Sequence, residues 1–210
     1  MNERTLREQI ALHGKSLYDR GLTPGSSGNI SVKLDDGFLI TPTNSCLGRL
    51  EPESISKLDR DGHHVSGMLP SKEAFLHISY YRSRLNESAV VHLHSTWSVA
   101  VSCLADVDPE NVLPPITAYY VMRVGKLPLI PYFAPGDKAL AAQVETVSRT
   151  AKGLLLANHG PVMGGADLDS AVYAVEELEE TAKLHMILRN HNVRLLTEPQ
   201  QAELRQRFPS

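Results

Sequence analysis

An α/β sandwich around a mixed or mainly antiparallel sheet is the architecture predicted for this 210-residue chain. Three observations predict it. Strand-like apolar runs alternate with helix-period segments along the chain, which places helices against a sheet. Two Asp-Gly pairs, Asp36-Gly37 and Asp61-Gly62, lie near short apolar runs in the first third and read as antiparallel hairpins. The 14 glycines and 13 prolines are dispersed and do not pool into a linker, so one domain is expected over residues 1–210.

The elements follow in order. Leu6, Ile10, Leu17 and Tyr18 share one helical face, closed by Gly21 at the C-cap. A polar loop over 23–29 leads into strands at 30–34 and 38–41. Pro70 and Ser71 open a helix with Ser71 as N-cap and Ala74, Phe75 and Ile78 on its buried side. Residues 89–93 form a buried strand, and Ser95 caps a helix from Thr96. Residues 127–131 end a strand, and Asp137 starts a helix reaching Thr150. Residues 153–157 form another apolar strand. Asp169 then starts a long amphipathic helix carrying Val172, Val175, Leu178, Ala182 and Ile187.

Charge and composition exclude several classes. Lys and Arg total 21 and Asp and Glu 24, a net −3, so neither nucleic acid nor a membrane surface is an expected partner. The apolar runs fall short of the roughly 18 residues that span a bilayer. The N-terminal MNERTLREQI lacks the apolar core of a signal peptide. Cys46 and Cys103 are too few for a disulfide scaffold. A cytoplasmic protein is expected. No Walker or dinucleotide fingerprint occurs, which argues against nucleotide use.

Nine histidines exceed what such a core needs. In Val90-Val91-His92-Leu93-His94, strand side chains alternate faces, so His92 and His94 point one way while Val91 and Leu93 face the core. Two imidazoles at this spacing can bind one divalent cation; taken alone, two surface histidines on an edge strand fit equally well. The run Leu154-Leu155-Leu156-Ala157-Asn158-His159-Gly160 places His159 at the end of a buried strand, where sites gather. Three neutral imidazoles leave an open coordination position, and they suit zinc or another late first-row metal better than magnesium or calcium. Glu73 falls in the first turn of the helix opened by Pro70-Ser71, where the dipole favours a negative charge. His77, one turn on, is read as structural, a buried imidazole bonded to a backbone group. Three stretches, Ser26-Ser27-Gly28-Asn29, Thr41-Pro42-Thr43-Asn44-Ser45 and Ser71-Lys72, offer groups of the kind that bind phosphate, although such loops also serve as plain turns.

Taken together, Gly28-Asn29-Ile30-Ser31, Ile40-Thr41-Pro42-Thr43, Pro70-Ser71-Lys72-Glu73, His92-Leu93-His94 and Asn158-His159-Gly160 resemble the class II aldolases of the fuculose-phosphate aldolase type. That group also takes in ribulose-phosphate epimerases and the adducin head domain. The resemblance implies a three-layer αβα sandwich with a central mixed, mainly antiparallel sheet. It implies one Zn2+ or other divalent metal per subunit, and a homotetramer with sites near its interfaces. It makes His92, His94 and His159 the metal ligands. Glu73 becomes the catalytic acid/base, able to touch the metal when substrate is absent. Gly28, Asn29, Thr43, Asn44, Ser71 and Lys72 become the phosphate site, although many members carry a smaller residue where Asn44 stands.

The middle of the chain, 114–125, is similar to the branch that decarboxylates 3-oxo-tetronate 4-phosphate. So are Pro128-Leu129-Ile130-Pro131-Tyr132-Phe133 and Pro135-Gly136-Asp137. The aldolases place a catalytic tyrosine in this region, and the resemblance gives that role to Tyr119, with Tyr120 next in line. The sugar-phosphate aldolases also lend a C-terminal tyrosine to the neighbouring subunit. Here the last tyrosine is Tyr173 and the tail reads Arg205-Gln206-Arg207-Phe208-Pro209-Ser210. The expected activity is therefore loss of CO2 from a small phosphorylated sugar acid, giving dihydroxyacetone phosphate through an enediolate stabilised by the metal. Glu73 would be the proton donor, its pKa raised by burial. Aldol cleavage of a ketose 1-phosphate is the alternative, and an adducin-like binding module is a third reading.

Overall fold

The computed structural model describes residues 2–134 and 136–208. Pro135 of the Pro135-Gly136-Asp137 segment, and Pro209 and Ser210 of the tail, lie outside them. Helix α1 (Glu3–Asp19) begins where the Asn2 side chain accepts from the Thr5 N–H, and it ends just before Gly21. Ile10 and Leu17 are buried, but Tyr18 is not part of that face: it is half-exposed, with its ring lying over Gly48.

The strands are β1 (Asn29–Leu34), β2 (Gly37–Ile40), β3 (Ser56–Asp59), β4 (His64–Ser66), β5 (Ala89–His92), β6 (Leu129–Ile130), β7 (Gly153–Leu156) and β8 (Gly160–Gly165). They form one sheet in the order β4-β3-β2-β1-β5-β8-β7-β6. Every neighbouring pair is antiparallel except β6 with β7. Helices α2 (Ala74–Ser83) and α5 (Ala139–Ser148) pack on each other over one face, with Leu76, Val90, Leu154 and Val162 between. Helices α1, α3 (Thr96–Ser102), α4 (Ala118–Arg123) and α6 (Leu168–Leu188) cover the other, around Ile30, Val91, Leu155 and Met163. Val90 and Val91 thus divide between the two layers, as strand alternation demands. Helix α7 (Glu198–Arg207) packs on α4 with no buried residue of its own.

Several expectations need correction. The first hairpin turns at Asp35-Asp36, while Gly37 pairs with Leu34 and belongs to β2. The backbone of β3 comes so near that a Cβ on Gly37 would lie 2.0 Å from the Leu58 carbonyl oxygen. Strand β8 was not expected, because Gly-Pro-Val-Met-Gly-Gly carries no strand period; yet all six residues are buried between β5 and β7. Helices α4 and α7 were equally unforeseen. The buried stripe of α2 is Leu76, His77, Tyr80 and Tyr81, with Ala74, Phe75 and Ile78 only half-buried. A count of apolar residues misplaced that stripe, because His77 and Tyr81 are buried through hydrogen bonds to β1. Ser95 stands at the N-cap of α3 without making a capping bond. Glu179 of α6 serves instead, accepting from the N–H groups of Trp97 at 2.8 Å and Ser98 at 2.9 Å. Helix α6 is capped by Asp167, not Asp169, and Ile187 near its end is exposed.

Candidate metal centre

His92 closes β5 on the α2 face, and His94 follows two residues later. Their Nε2 atoms lie 3.2 Å apart, so the strand spacing does bring both imidazoles to one point. The third comes from the β7–β8 hairpin. Leu156 pairs with Gly160, leaving Ala157-Asn158-His159 as a tight loop in which Asn158 takes a φ of 56°. Gly160 makes the approach feasible: a Cβ there would lie 2.2 Å from the Leu93 carbonyl oxygen. His159 Nε2 consequently reaches within 3.1 Å of His94 Nε2. His92 Nδ1 donates to the Pro161 carbonyl at 2.9 Å, so its Nε2 is the nitrogen left facing the cluster.

Glu73 completes the group. Its carboxylate lies 3.6 Å from His92 Nε2 and 3.3 Å from His159 Nε2. One ligand atom from each of Glu73, His92, His94 and His159 falls within 4.8 Å of the others. Helix α2 starts later than expected. Glu73 is its N-cap residue and makes no capping bond, while Ser71 is not the cap and its Oγ accepts from the Glu73 N–H. With capping duty removed, the Glu73 side chain is free to turn toward the histidines. His77 lies outside the cluster and is buried, but its partners are the side chains of Ser31 and Asn29 and not a backbone group.

The charge states follow from burial and neighbours. Burial pushes the Glu73 carboxyl up, but His92, the hydrogen bonds from His159 and Asn29, and the His159 charge together outweigh it. The carboxyl is held well below the usual carboxylate range, opposite to the rise expected from sequence. Burial, reinforced by His92 and His159, pushes His94 down to about 4, and burial also lowers His92. Neutral forms of His92 and His94 beside an ionised Glu73 are the forms that ligate a divalent cation.

The three expected phosphate-binding stretches are neighbours. Asn29 opens β1, directly after Gly28, and its Nδ2 donates to Glu73 Oε2 at 2.7 Å. The Thr43 N–H donates to the Leu69 carbonyl and the Ser71 N–H to that of Thr41, holding 41–44 against 69–72. Asn44 takes a left-handed φ of 54°, and Asn44 and Lys72 are both exposed. Tyr119 is placed differently. It is 58% exposed on α4 and opens on a cavity of about 610 Å3 with Arg20, Arg123, Tyr173 and Glu176. Tyr120 is buried in the core. The cavity beside the histidines, about 580 Å3, is lined by His94, Thr96, Val99, Tyr132, Phe133, Asn158 and His159. Sequence reasoning assigned no role to Tyr132 or Phe133, because an aromatic pair in a proline-flanked loop carries no local signal of a site. Ser31 and Tyr81 were missed for a similar reason.

An αβα sandwich with an acid-and-imidazole cluster at the ends of its central strands defines a metal-site class of protein, and the comparisons narrow it. The family described as Class II Aldolase and Adducin N-terminal domain matches residues 8–186, and the chain belongs to that family. It is 49% identical over 204 residues to the 3-oxo-tetronate 4-phosphate decarboxylase of Escherichia coli strain K12, covering 97% of this chain and 96% of that one. It is 35% identical to the L-fuculose phosphate aldolase of Haemophilus influenzae, covering 90% and 85%. The crystal structure of YgbL from Escherichia coli superposes with a TM-score of 0.94 at 48% identity, covering 97% and 99%. Among the described residues, no helix is long and apolar enough to cross a membrane.

Proposed function

We propose that this chain is a metal-dependent carboxy-lyase that converts 3-oxo-tetronate 4-phosphate to dihydroxyacetone phosphate and CO2. The observation that carries the reading is the meeting of Glu73 with three imidazoles in a chain so similar, end to end, to a relative of that name. The donor set fits a cation: three imidazole nitrogens and one carboxylate, with the His92 ring oriented by Pro161. His92, His94 and His159 hold it, Glu73 can touch it, and zinc, one per subunit, is the metal we assign. When bound, it supplies Lewis-acid neutralisation of the negative charge that develops as CO2 leaves.

The chain's own residues do the rest. Gly28, Asn29, Thr43, Asn44, Ser71 and Lys72 bind the phosphate. As the bond between carbons 1 and 2 breaks, its electron pair stays on the remaining three-carbon fragment, and Glu73 delivers a proton to carbon 2. The reaction consumes one proton per turnover, so a carboxylate that is ionised at rest reloads from water in each cycle. Tyr119 orients the substrate carboxylate from a neighbouring subunit of a cytoplasmic homotetramer. Its exposure on α4, and a cavity whose lining includes none of the three histidines, support that placement.

Aldol cleavage of a ketose 1-phosphate is the second reading, favoured by the similarity to an L-fuculose phosphate aldolase. The lower identity to that relative, 35% against 49%, counts against it. Incubation with 3-oxo-tetronate 4-phosphate and with fuculose 1-phosphate separates the two. CO2 equimolar with dihydroxyacetone phosphate is expected from the first, lost on chelation and restored by zinc. Aldehyde release from the second without CO2 from the first would transfer the assignment to the aldolases, and full activity in verified metal-free protein would remove the metal.

A further inference from the structure

Beneath Glu73 runs a series of buried polar side chains, of which the reaction above uses only Asn29. Asn29 Nδ2 donates to Glu73 Oε2, and Asn29 Oδ1 meets His77 Nε2. His77 Nδ1 lies 2.7 Å from Ser31 Oγ, which lies 2.8 Å from the Tyr81 hydroxyl. Asn29, Ser31, His77 and Tyr81 are each at most 4% exposed, so water cannot replace a missing partner.

The direction of every bond follows from one end. Asn29 turns its NH2 to Glu73 Oε2 and its carbonyl to His77. That carbonyl only accepts, so His77 carries a proton on Nε2. Burial keeps the ring neutral, pushing it down to about 3, which leaves Nδ1 bare. Ser31 therefore donates to Nδ1, and the Tyr81 hydroxyl donates to Ser31, its proton shared between Oγ at 2.8 Å and the Ser31 carbonyl at 3.1 Å. Oε2 of Glu73 is thereby pinned, and Oε1 is the oxygen that faces His159.

We propose that Tyr81, Ser31 and His77 form a one-way hydrogen-bond relay that fixes the Asn29 amide and, through it, presents Glu73 Oε1 as the proton-carrying oxygen. His77 is a positioning residue of the reaction. This rests on the assignment of Glu73 as the acid, and the test keeps the two apart.

Two substitutions at His77 divide its two bonds. His77→Gln puts an amide near the Nε2 position and keeps a donor for Asn29. His77→Asn puts one near Nδ1 and leaves Asn29 without a donor. Each is assayed on whichever of the two phosphorylated substrates the wild type turns over, with metal content measured in parallel. His77→Asn is expected to lose tenfold to about 10²-fold in kcat, the scale of a small misplacement, with KM within about twofold and metal content unchanged. His77→Gln is expected to recover kcat to within about threefold of wild type. Equal kcat in the two variants, or wild-type kcat in His77→Asn, overturns the relay. Glu73→Gln run alongside distinguishes the failures: normal turnover there removes the acid itself, whereas its collapse beside an unaffected His77→Asn removes only the relay. If either His77 variant fails to fold, the histidine 15N spectrum of the wild type decides. The Nε2–H tautomer at His77 supports the relay, and the Nδ1–H tautomer or a doubly protonated ring refutes it.

Discussion

The end of β5 and the surface of α4 make opposite kinds of site. At the first, Glu73, His92, His94 and His159 are gathered within 4.8 Å, Asn29 and Pro161 bond Glu73 and His92 from outside, and His77 backs Asn29. At the second, Tyr119 faces outward, with the Arg123 guanidinium over its ring and over that of Tyr173. The first draws its four groups from one chain. The second leaves Tyr119 exposed beside a cavity whose lining includes none of the three histidines, and its proposed service to a neighbouring copy rests on that exposure.

Removing the acid from the complete site has the largest expected effect. Glu73→Gln should lower kcat by about 10²-fold or more, the usual contribution of a general acid, while metal content stays stoichiometric. Turnover near wild type would show that the cluster works without its carboxyl. On α4, Tyr119→Phe should cost less, up to about 10²-fold, with metal content again unchanged. Mixing the two variants sharpens the contrast. Hybrids assembled from Glu73→Gln and Tyr119→Phe subunits should regain activity, because some sites pair an intact Glu73 with an intact Tyr119 from the neighbour. Hybrids no better than either parent would place Tyr119 in its own subunit's site, or in none.

The smallest effect is on stability, and His77 at the cluster end contributes to it. His77 is pushed down to about 3 from an ordinary value of 6.5. Between those values the unfolded chain binds a proton that the folded chain refuses, so stability rises with pH across the window and is lost as pH falls below 6.5. Metal-free protein should be about 1 kcal/mol less stable at pH 5.5 than at pH 7 from this group, measured by denaturant unfolding. His77→Gln should flatten that dependence, and an equally steep curve in the variant would assign the slope to other groups.

Much of the cluster was legible because it is written locally. The alternation in Val91-His92-Leu93-His94 needs no knowledge of distant contacts, and Asn-His-Gly after an apolar run marks the end of a strand. That the two segments meet was not legible, since the strand joining them is β8, and Gly160-Pro161-Val162-Met163-Gly164-Gly165 has no alternation and only one β-branched residue, Val162. Its identity as a strand comes from what surrounds it: Tyr80 occupies the space above Gly164, and the first turn of α6 lies against Gly165. The relay was hidden differently. Ser31 and Tyr81 look like ordinary residues of a strand and a helix, and only the packing of α2 on β1 gives them partners. Tyr119 entered by resemblance alone, and no feature of Ala118-Tyr119-Tyr120 distinguishes the outward ring from the buried one before α4 is folded.

The position of β8 ties ion capture to the assembly of the barrel-less sheet. Two imidazoles arrive with β5 and the third with the β7–β8 hairpin, so a cation would find all three imidazoles together only after β5, β8 and β7 have paired. An ion that binds this arrangement and not the open chain pulls the folding equilibrium toward the closed ladder. Loading the protein should therefore slow hydrogen exchange first along β5 and β8, in the heart of the molecule and not at its rim.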